Sequence, residues 1–132
     1  MDVMVNVWAV VLAAVSMFLV GGLWYGLVFA RPWQRASGVS NEQLSRGAPL
    51  VFGGSFVLSL VAATSLAFLI GASGLVFGTI AGLVTGGTLV STLLGVVYLF
   101  ERRPARHFAI NAGYAVVAFT AMGAIIGALQ AG

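Results

Sequence analysis

Long stretches of this chain carry no charged side chain, and that leaves few ways for it to fold. From Val3 to Ala30 there is none, a run longer than the ~20 apolar residues that carry a helix across the hydrocarbon core of a bilayer. Three similar runs follow, which places spans at about residues 3–30, 49–70, 75–100 and 106–129. Charged residues make up 7% of the chain and hydrophobic ones 61%. A soluble domain carries about 25% charged residues to cover its surface, so lipid is the solvent this composition suits. The expected fold is all-α, an integral membrane four-helix bundle forming one domain over residues 1–132.

The polar residues lie between these runs. Residues 31–48 hold Arg31-Pro32, Trp33 and a Ser40/Gln43 pair at capping-box spacing, which predicts a short surface helix near Asn41–Arg46 with Gly47 at its C-cap. Arg31-Pro32 is expected to end the first span, because the residue before proline avoids the helical region. Pro49 suits the first turn of the second span, and residues 71–74 (Gly-Ala-Ser-Gly) form a tight turn. Residues 101–107 make a basic connection, with the fourth helix starting as early as Pro104. A cleavable leader is not expected: Asp2 is the only charged residue before Arg31, so there is no positive leading segment, and the apolar run is too long.

All six Lys+Arg residues are arginines in the first and third connections. The positive-inside bias then puts segments 31–48 and 101–107 in the cytoplasm and both termini outside, as in a bacterial inner membrane. Trp33 falls at the cytoplasmic headgroup level with Trp24, Tyr25, Tyr98 and Phe108 just below it, and Trp8 lies near the outer face. Tyr25, Phe29 and Arg31-Pro32 echo Tyr98, Phe100 and Arg103-Pro104, a hint of a parallel repeat that needs a one-residue shift and extends no further.

Gly74, Gly78, Gly82 and Gly86 recur every fourth residue, and Gly123 with Gly127 repeats the spacing in the last span, as do Gly22 and Gly26 in the first. A second stripe runs Gly87, Ser91, Gly95. Such stripes let helix backbones approach closely, which matters because lipid supplies no hydrophobic drive for helix association. The spacing suits packing within one chain and packing between copies in a homo-oligomer equally well.

Thr64, Ser65, Thr79, Thr85, Thr88, Ser91 and Thr92 can bond back to their own helices. Asn111 cannot satisfy its amide that way. With Tyr114 one turn on, it is either an interhelical clamp or part of a solute-lining surface. Glu101, Arg102, Arg103, Arg106 and His107, with Arg31 and Arg35, form a basic rim that attracts anionic lipid headgroups or a small anion. Catalysis is not expected: there is one histidine, no cysteine, no metal-ligand spacing and no carboxylate pair. No cofactor and no nucleic-acid partner is implied.

Gly22-Leu23-Trp24-Tyr25 with Trp33, then Phe100-Glu101-Arg102-Arg103-Pro104, Ile110-Asn111-Ala112-Gly113-Tyr114 and Met122-Gly123 together resemble the bacterial membrane family called domain of unknown function 1761. The resemblance covers nearly the whole chain. The family pattern often has Ser-Pro after Trp-Tyr and His after Gly-Tyr, whereas Gly26-Leu27 and Ala115 stand here. That departure removes any role for a histidine at the latter place. The resemblance implies a four-helix membrane protein and no stated activity. Its matching residues, Trp24, Tyr25, Trp33, Glu101, Arg103, Pro104, Asn111 and Tyr114, fall toward the cytoplasmic half. The leading expectation is a homo-oligomeric channel or transporter for a small solute; the alternatives are an accessory subunit of a larger membrane complex and a lipid-headgroup-binding protein.

Overall fold

The structure, a computed structural model, describes residues 5–131 and contains helices and turns but no strand among them. Four helices are long and apolar enough to cross a membrane: α1 (Val7–Val28), α4 (Ala48–Ile70), α5 (Leu75–Phe100) and α6 (Ala105–Gln130). Two short helices, α2 (Ala30–Ser37) and α3 (Asn41–Ser45), lie between α1 and α4. The start of the first expected span at Val3 lies outside the described residues.

Asn6 begins α1, its Oδ1 accepting from the Trp8 and Ala9 amides at 2.9 and 3.3 Å. This satisfies two donors that a helix start leaves without partners. The last turn, Trp24–Val28, is a π-turn closed by the Phe29 amide bonding to the Trp24 carbonyl at 2.8 Å. Phe29 then leaves helical geometry at φ −118°, ψ 22°.

Here the structure corrects the sequence. Arg31-Pro32 does not stop the helix; it lies inside the first turn of α2. Proline is tolerated there because its missing N–H would have had no intrahelical partner. The break falls at Phe29, and α2 runs to Gly38, whose left-handed φ of 77° ends it. The capping box of α3 forms as its spacing predicts, with the Gln43 amide on Ser40 Oγ at 3.1 Å and the Ser40 amide on Gln43 Oε1 at 2.8 Å. Gly47 (φ 66°) turns the chain into α4, with Pro49 in that helix's first turn.

The third connection ends at Pro104, the earliest start expected for the fourth helix, so Arg106 and His107 belong to the first turn of α6. The two arginine-bearing connections are therefore unlike. One carries two helices and the other is a tight turn, with Arg102 at φ 57° and the Arg103 amide bonded to the Tyr98 carbonyl at 2.9 Å. They do not continue the repeat that their flanking residues hint at.

Small residues decide how the helices meet. Ala9, Val10, Ala13 and Ala14 of α1 are buried against Ala63, Leu66, Ala67 and Ile70 of α4 and Met122 and Ile126 of α6. Against the other side of α6 lies α5, and there glycine is required. A Cβ on Gly78 would fall 2.8 Å from the Gly127 Cα; one on Gly82 would fall 2.8 Å from the Phe119 carbonyl carbon. One on Gly123 would fall 3.0 Å from the Gly82 Cα, and one on Gly86 would fall 3.0 Å from the Phe119 Cβ. Positions 78, 82 and 86 thus step antiparallel down 127, 123, 119 and 115, backbone on backbone. A π-segment at Thr85–Val90 follows within α5, where Ser91 Oγ reaches the Gly86 carbonyl at 2.6 Å. Gly22 and Gly26 behave differently, since a Cβ at either would meet nothing within 4 Å.

Gly123→Ala is therefore expected to force α5 and α6 apart and cost about 1–3 kcal/mol, the usual range for overpacking. Gly22→Ala should change stability by less than about 0.5 kcal/mol, as open positions do. Unfolding by SDS titration from mixed micelles checks both.

Candidate functional site

Several polar side chains of α1, α5 and α6 converge near the end of α1. The widened turn at Trp24–Val28 sets Trp24 and Tyr25 side by side facing α6. Trp24 donates its indole N–H to the Ile110 carbonyl at 2.8 Å. Its ring takes the space beside Gly113, where a Cβ would lie 2.9 Å from Trp24 Cζ2. Glycine at 113 is thus the condition for the tryptophan's placement.

Tyr25 donates its hydroxyl to Asn111 Oδ1. Asn111 Nδ2 donates in turn to the Tyr98 hydroxyl at 2.7 Å. One amide thereby joins α1, α6 and α5. Tyr114 donates to the Met17 carbonyl at 3.1 Å, its hydroxyl resting against Gly21, and its ring meets Tyr25 edge-on at 5.3 Å. Trp33 of α2 also meets Tyr25 edge-on, ring centroids 5.2 Å apart. Tyr98 stacks on His107, ring centroids 4.8 Å apart and nearly parallel. His107 is buried, and its Nδ1 has no hydrogen-bond partner among the described residues.

Of the residues singled out from sequence, Trp24, Tyr25, Trp33, Asn111, Tyr114 and His107 come together in this one cluster. Of the remaining rim residues, Glu101, Arg102, Arg103 and Arg106 sit on the connection and helix start beside it, and Arg31 and Arg35 lie on α2. Arg103 pairs with Glu101 at 3.0 Å, both side chains well exposed, a geometry worth little in water. Arg102 Nη1 bonds to the Phe100 carbonyl at 2.8 Å, and Arg106 is exposed.

Tyr98, in sequence an interfacial aromatic and the counterpart of Tyr25 in the hinted repeat, is central to the cluster. Counting across the tight turn at 101–104 would have found it, because an antiparallel hairpin sets residue 98 opposite residues 107 and 111. A second polar node was missed at the far end of the molecule. Gln130 is buried, donates to the carbonyls of Ala67 and Gly71 at 3.0 Å each, and accepts the Asn6 amide at 2.9 Å. It ties the start of α1, the end of α4 and the end of α6. A lone amide closing an apolar span was the available signal.

Hydroxyls in the spans bond back along their own helices: Ser59, Thr64, Ser65, Thr79, Thr85, Thr88 and Thr120 to the carbonyl four residues earlier, at 2.6–3.0 Å. Open grooves on the described residues include two near these elements. One, about 430 Å³, is apolar and runs between α1 and α6, lined by residues such as Leu12, Leu19 and Ile125. The other, about 400 Å³, lies on α2 beside Arg31 and Arg35.

If Asn111 acts as a clamp, removing both it and its partner should cost less than the sum of the single changes. A double-mutant cycle of Tyr25→Phe and Asn111→Ala is expected to give a coupling of about 1 kcal/mol, within the range for hydrogen bonds between membrane helices. SDS-titrated unfolding of the four proteins measures it.

The family model described as "Protein of unknown function (DUF1761)" matches residues 8–127. No curated protein and no solved structure matches the chain. The chain belongs to the DUF1761 family.

Proposed function

We propose that this member of the DUF1761 family is a non-catalytic accessory subunit, which works by packing its outer helix faces against a larger membrane complex. The observation that carries this reading is where the intramembrane polar groups go. Tyr25, Tyr98, Asn111 and Tyr114 are engaged with one another or with the backbone across helices, and Gln130 does the same at the opposite end. A conduit within one chain would need such groups turned toward water. Meanwhile α4 and α5 present large apolar side chains outward, among them Leu50, Leu58, Leu69, Val76, Leu89 and Leu93, each more than half exposed.

In this reading the four helices form a glycine-seamed bundle in a bacterial inner membrane, with both termini outside and the arginine-bearing segments in the cytoplasm. The arginine asymmetry supports that orientation. Anionic headgroups at the rim would add about 1 kcal/mol for each nearby arginine.

A second reading is a homo-oligomeric channel or transporter with its pathway between chains. Thr88 and Thr92, one turn apart and exposed on α5, favour it, because α5 at a symmetry axis would line that axis with hydroxyls.

Native mass spectrometry of the protein released from its own membrane with minimal delipidation separates the two. The accessory reading expects a mixed complex of fixed ratio with a second membrane protein. A single homo-oligomeric mass would overturn it in favour of the channel reading.

A further inference from the structure

The groove on α2 has features that neither the clamp nor the outer faces explain. Trp33 fixes α2 against Tyr25 from one side. Arg31 and Arg35 sit one turn apart, so they share a helix face, and both are exposed. Two like charges at this spacing repel and disfavour the helix unless something neutralises them.

Among the described residues no carboxylate does so. Glu42 pairs with Arg46 at 2.6 Å and Glu101 with Arg103 at 3.0 Å. The open groove of about 400 Å³ beside these two guanidinium groups is lined by them and by Gln34, Gly38 and Val39. The Gln34 amide is held in place by donating one N–H to Asn41 Oδ1 at 2.7 Å, which leaves its second N–H available. Gly38 keeps the far wall low, since it carries no side chain and turns the chain at φ 77°.

We propose that Arg31, Gln34 and Arg35 form a binding site for a phosphate group. Two guanidinium forks and an amide supply donors, and planar forks match the paired oxygens of a phosphate better than a point charge does. The phosphate belongs either to a lipid headgroup or to a soluble phosphate compound. Arg31 follows the end of α1 at Val28 by three positions, a place within reach of headgroups. The site stands independently of the accessory reading, because it needs neither a protein partner nor an oligomer.

Calorimetric titration of the full chain in dodecyl maltoside tests this, using dioctanoyl phosphatidylglycerol, dioctanoylglycerol and inorganic phosphate at constant ionic strength. Saturable binding of the phosphate-bearing lipid, with no binding of dioctanoylglycerol, is expected. Replacing both residues (Arg31→Gln with Arg35→Gln) should weaken binding at least tenfold. Replacing Arg102 and Arg106 by Gln should change it less than twofold. Inorganic phosphate binding with the same dependence on Arg31 and Arg35 identifies a soluble ligand, and binding of the lipid alone identifies a headgroup. Absence of binding by both phosphate probes overturns the proposal. So does equal weakening by the two pairs of substitutions, which would mean diffuse charge attraction. Unchanged circular dichroism of each variant assigns the loss to the site rather than to unfolding.

Discussion

The close approach of α5 to α6 is the contact on which the rest of the structure depends. In lipid, apolar side chains gain nothing by leaving the solvent for one another, so helices associate through close packing and polar contacts. Gly78, Gly82 and Gly86 against Gly123 and Gly127 remove the side chains that would keep two backbones apart. This brings carbonyl oxygens against the facing glycine backbones, an arrangement in which weak Cα–H···O contacts add to dispersion. On its other side α6 meets the alanine-rich faces of α1 and α4. The fourth span is thus the central element, and small residues on both sides allow it to be.

Position along α6 then decides which polar groups meet. With the seam in register, the tight turn at 101–104 sets Tyr98 opposite His107 and Asn111. The π-turn of α1 does the same from the other side. It inserts Trp24 beside Gly113 and brings the Tyr25 hydroxyl to Asn111. Single π-turns inside α-helices are rare and recur at functional sites, and this one carries two of the cluster's aromatics. Membrane hydrogen bonds are individually modest, averaging about 0.6 kcal/mol, so the cluster acts as a positioning device more than as a source of stability. Gln130 plays the corresponding role where α1 starts and α4 and α6 end.

Much of this was legible in the sequence, and the gaps have physical causes. Charge-free length locates membrane-spanning helices because transfer of charge into lipid is prohibitive, and the structure has helices of that kind in all four places. The glycine period announced close backbone contact but not its partner, since a stripe on one helix carries no label for the helix it meets. Asn111 stood out because an amide in lipid must find several partners. Tyr25 stands among the candidate site residues, but nothing in the sequence assigned its hydroxyl the part of holding that amide, and Tyr98 looked like an interfacial aromatic. Pro32 misled, because the same residue that stops a helix from within is acceptable in a helix's first turn. Only the backbone at Phe29 distinguishes the two cases.

The account turns on a protein interior closed to water, with its polar groups engaged internally. The chain contains no cysteine, so single thiols can report on that interior without background. Ala118→Cys, at a position with no solvent exposure beside the seam, should resist a membrane-impermeant thiol reagent applied from either side of sealed vesicles. Arg106→Cys, at an exposed position, should react readily from one side. Labelling of Ala118→Cys at a rate comparable to that of Arg106→Cys would mean that water reaches the core, and would contradict the account.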